Sequence, residues 1–84
     1  MSAGARRARA VVESVPNVSE GRERAALEAF AAASAGVAGA TLANVHADAD
    51  HQRSIFTILG APDAVGAAAL ALAARVVEIV ETYL

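Results

Sequence analysis

The spacing of apolar and polar positions changes along the chain, and each change predicts an element. From Ala10 to Val18 the β-branched Val11, Val12 and Val15, with Pro16 near the end, predict a first strand. Asn17 and Ser19 follow with the small polar side chains that cap helix starts, Ser19 being the better placed. A helix is expected from about Glu20 to Ser34. Leu27, Phe30, Ala31 and Ser34 form a narrow stripe at helical spacing, while Arg22, Glu23, Arg24 and Glu28 face away from it. Gly36 and Gly39 stand where glycine ends helices.

Ala40 to His46 reads as a second strand, after which the polar run from His46 to Arg53 interrupts the apolar pattern. Ser54 to Leu59 predicts a third strand. It carries Ile55 and Thr57 on one face and Phe56 and Ile58 on the other, and apolar residues on both faces suit a central strand. The segment Gly60-Ala-Pro62-Asp63 is a helix start, with proline in the first turn and an acid where the helix dipole favours one. The helix after it is expected to run to the end of the chain. Val65, Ala69, Leu72, Val76, Ile79 and Tyr83 repeat along its core face, and Leu70, Ala73, Val77 and Val80 are expected to widen that face.

The predicted order is strand, helix, strand, strand, helix. This is an α+β, ferredoxin-like β-α-β-β-α arrangement: an antiparallel sheet with two helices on one face and the final strand missing. In that topology the first and third strands pair centrally, and a fourth strand would lie beside the first. The 84 residues allow one small domain, divided here into a flexible extension over 1–9 and a truncated subdomain over 10–84. A domain of this size holds on the order of 4–12 kcal/mol of stability.

Composition narrows the function classes. A net charge of -2 provides no field to attract nucleic acid or an anionic membrane, and Arg6, Arg7 and Arg9 in the extension are not supported by a basic patch elsewhere. Arg75, Glu78 and Glu81 interrupt the most apolar stretch, and the basic opening residues are followed by no apolar core, so neither a membrane span nor a secretory leader is expected. The expected location is the cytoplasm. With no cysteine, disulfides, thiolate metal sites and cysteine nucleophiles are excluded.

Two segments are polar where the fold does not require it. The first, Pro16 to Gly21, joins a strand end to a helix start, where free backbone N–H groups and the dipole receive anionic or carbonyl ligands. The same residues also read as an ordinary capped turn. The second runs from His46 through Asp48, Asp50, His51 and Gln52 to Arg53. Its acids and imidazoles lack the spacing that would make them converge on a metal, and a solvated loop is the plain alternative. Arg53 differs, because an arginine directly before a buried strand calls for an acid partner: Asp48, Asp50 or a ligand carboxylate.

Together these segments resemble a family. PNVSEGR at Pro16–Arg22, DADHQRS at Asp48–Ser54 and IFTILGAP at Ile55–Pro62 are similar to the N-terminal part of glutamate formimidoyltransferases, over about Glu13 to Ile79. The resemblance implies a transferase that moves a formimino group from N-formimino-L-glutamate to tetrahydrofolate, its co-substrate, in histidine degradation. It implies two related ferredoxin-like subdomains with folate between them. It also implies a catalytic histidine in a His-x-Gly-x-His-Pro-Arg type motif beyond the point matching Leu84, so neither His46 nor His51 is a candidate base. What this chain retains by resemblance is one substrate wall: Asn17, Ser19 and Glu20 at the first turn, His46, Asp48 and Arg53 at the second. Arg53 is the residue expected to meet an anionic group.

On this reading the chain is inactive alone and is completed by the rest of the transferase. The competing reading is a stand-alone ferredoxin-like binding module completed by a homodimer partner, since an unpaired first strand and a broad apolar helix face favour self-association.

Overall fold

A computed structural model describes residues 10–83, with side chains as far as Ile79. The extension over 1–9 and the side chains of Val80 and Tyr83 lie outside the described residues. In chain order the elements are β1 (Val12–Ser14), β2 (Asn17–Val18), α1 (Arg24–Ala35), β3 (Ala40–Asp48), β4 (Arg53–Gly60) and α2 (Pro62–Tyr83).

The sheet is antiparallel throughout, with β4 at its centre. β1 and β2 pair with one edge of β4, and β3 pairs with the other. β1 and β2 are one strand in all but the middle of its ladder, because they meet β4 in an unbroken register from Val12↔Gly60 to Val18↔Ser54. Pro16 divides them. It has no N–H to give, yet its carbonyl accepts the Phe56 N–H at 3.0 Å. The strand expected over Ala10–Val18 is thus present, shortened at its start.

Alternation along β4 decides where the core lies. Ser54, Phe56 and Ile58 are buried on one face, and Arg53, Ile55, Thr57 and Leu59 turn to the other. Both helices cover the buried face. Phe56 packs with Val18, with Ala26 and Phe30 of α1, and with Leu72 of α2, while Ile58 packs with Val65 and Ala68. The Phe30 and Phe56 rings meet edge to face, centroids 6.3 Å apart and planes at 73°. This α+β arrangement is consistent with the ferredoxin-like fold.

Two expectations are corrected. α1 starts at Arg24 rather than Glu20, and Ser19 does not cap it: the N-cap position belongs to Glu23, whose side chain makes no capping bond. The Glu20 carboxylate serves the turn instead, accepting the N–H groups of Glu23 at 2.9 Å and Arg22 at 3.1 Å. A carboxylate reaches two successive amides where a hydroxyl satisfies one, so the chain runs three further residues before the helix closes. On α2, the row of Leu70, Ala73 and Val77 does not widen the buried face. Leu70 is 73% exposed and Val77 59% exposed, because a helix lying on one sheet layer buries a single stripe, here Val65, Ala68, Leu72, Val76 and Ile79.

Candidate functional site

A shared substrate wall requires the two polar turns to fold against each other at one end of the sheet, and they do, as one junction. β3 continues through Asp48, so His46 and Asp48 stand on a strand, and the reversal takes only Ala49–Gln52. Gly21 lies directly on that reversal. Its N–H donates to Gln52 Oε1 at 2.9 Å, and the neighbouring Arg22 Nε–H donates to the Ala49 carbonyl at 2.7 Å. A methyl group on Gly21 would stand 2.6 Å from both the N and the O of Arg53 and closer still to the Asp48 carbonyl, so only a hydrogen fits between turn and hairpin.

A bulge then aims the side chains. Leu42 pairs with Ile58 on the helix side, and strict alternation from there would turn Asn44, His46 and Asp48 towards the helices. The register slips between Leu42 and Asn44, with Ala43 as the extra residue. Beyond it Val45 lies opposite Phe56 and Ala47 opposite Ser54, while Asn44, His46 and Asp48 lie opposite Thr57, Ile55 and Arg53. The bulge therefore places the polar residues of β3 on the helix-free face. Asn17 joins them from β2, since it also pairs with Ile55. Around Ile55 the open face displays Asn17, His46, Asp48 and Arg53, and a depression of about 350 Å³ is lined by His46, Asp48, His51, Arg53 and Ile55.

Residues 11–82 match the profile of the formiminotransferase domain, N-terminal subdomain. The chain belongs to this formiminotransferase family. It is similar to a glutamate formimidoyltransferase from Streptococcus pyogenes serotype M1, 37% identical over 62 residues that make up 74% of this chain and 21% of the relative. It is also similar to formimidoyltransferase-cyclodeaminases from Gallus gallus (38% identical over 71 residues, 84% of this chain and 13% of the relative) and Dictyostelium discoideum (38% over 55 residues, 66% and 10%). The chain thus spans about a fifth or less of the length of these relatives.

Within this formiminotransferase subdomain the six expected wall residues divide. Asn17, His46, Asp48 and Arg53 share the open face. Ser19 is exposed and lines a groove beside α2 with Val18, Leu72 and Val76, a groove that Asn17 also borders. Glu20 is 2% exposed, its carboxylate turned inward to the turn's own amides. The amides of the turn before α1 are occupied from within, since Gly21, Arg22 and Glu23 each donate to a side chain of this chain.

The expected acid partner of Arg53 is otherwise engaged. Asp48 is its cross-strand neighbour, but Asp48 Oδ2 stands 2.6 Å from His51 Nδ1, and Oδ1 accepts the N–H groups of Asp50 and His51. The His51 side chain is the main reason the Asp48 carboxyl titrates below its ordinary range, with partial desolvation opposing it. Among the described residues Arg53 forms no ion pair with Asp48, Asp50 or any other acid. It stands exposed at the start of β4, and its fork of donors meets no acceptor among the described residues. No group of three or more His, Asp or Glu side chains among the described residues is placed to hold a metal ion, and no described helix is long and apolar enough to cross a membrane.

Sequence reasoning missed the bulge at Ala43 and the part played by Gln52. The second had a signal. The reversal Ala49-Asp-His-Gln52 contains no glycine, yet a hairpin turn this short needs a residue with positive φ. Gln52 takes it, at φ 52°.

Proposed function

We propose that this chain is the N-terminal part of a folate-dependent transferase that moves a formimino group from N-formimino-L-glutamate to tetrahydrofolate, and that it is inactive on its own. Family membership and the relatives' names support the reaction. The observation that carries the reading is Arg53 on the helix-free face, with no acid partner among the described residues, beside Asn17 and His46 and next to the Gly21–Gln52 junction.

In the reaction proposed, the N5 amine of tetrahydrofolate bonds to the formimino carbon, the bond from that carbon to the glutamate nitrogen breaks, and glutamate leaves. This chain's share is binding and orientation. Arg53 offers a planar pair of N–H donors matched to a substrate carboxylate. Asn17 and His46 flank it across Ile55, whose side chain gives the wall an apolar floor. Asp48 holds the turn through His51, Asp50 and their amides, and keeps its negative charge off Arg53. Proton transfer falls to residues outside this chain, which supplies the substrate's seat and not its acid or base.

The test is a graft. Residues 11–82 replace the matching segment of the Streptococcus pyogenes relative, and formimino transfer to tetrahydrofolate is assayed beside the 84-residue chain alone. The chimera is expected to turn over and the chain alone to show no transfer. Turnover by the chain alone, or a folded chimera without activity, contradicts the proposal.

A further inference from the structure

We propose that Gln52 is a positioning residue, a latch that holds the Pro16–Arg22 turn against the start of β4 and so fixes where Arg53 stands. Nothing in the wall of exposed side chains requires it, since its own side chain faces the turn. Gln52 is the non-glycine residue with positive φ among those described, at φ 52°. That conformation costs an ordinary side chain energy relative to glycine, and it persists where the surroundings enforce it. Here the enforcing contact is identified. The left-handed backbone turns the side chain back, and its Oε1 accepts the buried Gly21 N–H at 2.9 Å, a bond between residues 31 apart in sequence. The Gln52 N–H meanwhile closes the reversal onto the Ala49 carbonyl at 3.3 Å.

The geometry gives this one bond leverage over Arg53. A methyl group on Gly21 would stand 2.6 Å from both the N and the O of Arg53, so Gly21 is packed too closely against the first residue of β4 for either to shift alone. Arg22 Nε–H also ties this turn to the reversal, donating to the Ala49 carbonyl at 2.7 Å, but from an exposed side chain and at the far end of the reversal from Arg53. A glycine at position 52 would suit the backbone better and would lose the bond. A turn residue chosen for conformation alone would therefore be improved by glycine, whereas a latch would fail. The consequence for ligand binding rests on the function proposed above; the latch itself does not.

Three variants of the 84-residue chain, Gln52→Gly, Gln52→Glu and Arg53→Ala, separate these roles. Amide hydrogen exchange and the Gly21 Hα to Arg53 HN nuclear Overhauser effect are measured by NMR. Gln52→Gly is expected to lower Gly21 protection about five- to tenfold and weaken that cross-peak, while protection at Phe56 and Ile58 stays within about twofold. Gln52→Glu keeps an acceptor oxygen at the same reach and is expected to retain both signals. If Gln52→Gly leaves Gly21 protected and close to Arg53, or if protection falls equally throughout β4, the latch is overturned. In the graft described above, Gln52→Gly is expected to raise KM for N-formimino-L-glutamate about three- to tenfold with kcat held, and Gln52→Gly with unchanged KM contradicts the coupling to Arg53. Arg53→Ala with unchanged KM instead sinks the substrate-wall reading and leaves the exchange result for the latch intact.

Discussion

Replacing Gly21 by alanine is expected to destabilise the chain by about 2–4 kcal/mol, more than any other single-methyl change at this junction. The new carbon would lie 2.6 Å from two backbone atoms of Arg53 and nearer still to the Asp48 carbonyl. These are backbone atoms on paired strands, so none can swing aside as a flexible side chain would. Turn and hairpin must part. With them go the Gly21–Gln52 bond and the Arg22–Ala49 bond. In a domain holding on the order of 4–12 kcal/mol, that loss should lower the melting temperature by roughly 10–25 °C. Thermal unfolding followed by circular dichroism checks it, and a shift within about 3 °C would mean that the two segments do not pack as described.

The second large effect lies in the core. Phe56→Ala is expected to cost about 3–5 kcal/mol, enough to leave much of the population unfolded at 37 °C. Phe56 is fully buried on the central strand, where it joins Val18 of β2, Phe30 of α1 and Leu72 of α2 in one cluster. Truncation empties the point at which both helices meet the sheet, and it removes the edge-to-face ring contact with Phe30. Leu70→Ala is the control. Leu70 has the hydrophobicity of a core residue but is 73% exposed, so its loss should change stability by less than about 0.5 kcal/mol. Urea midpoints of the two variants decide the matter: similar values for both would contradict the packing of α2.

Much of the fold could be read from the chain because it follows from side-chain alternation. Phe56 and Ile58 against Ile55 and Thr57 marked β4 as central, and β4 is the strand that both neighbours pair with. Pro62 and Asp63 marked the start of α2. The failures share a different cause. Ser19 looked like a cap because of its residue type, but which side chain caps a turn depends on where the chain goes next, and here it goes to the hairpin. Leu70 and Val77 fit a helical repeat, yet the width of a buried stripe is set by the number of layers packed on it. The orientation of His46 and Asp48 depends on one extra residue at Ala43, and nothing local to Leu42-Ala-Asn44 signals a bulge. The family resemblance grouped the two polar segments. That they meet follows from a shared wall; that Gly21 and Gln52 join them depends on a backbone conformation at Gln52 that its residue type does not announce.

The division of the expected wall also refines the chemistry. Glu20 supports the turn from beneath, Ser19 faces the groove beside α2, and Asp48 is committed to His51. Among the described residues, Arg53 stands on the open face with no acid attached. A guanidinium exposed in this way contributes little to stability, which is compatible with the substrate-binding role proposed for Arg53.

The most direct measurement is therefore the kinetics of Arg53→Ala in the chimera carrying residues 11–82. A charged hydrogen bond between Arg53 and a substrate carboxylate predicts a rise of about 10- to 100-fold in KM for N-formimino-L-glutamate, with kcat nearly unchanged. A KM equal to that of the unsubstituted chimera would contradict the account.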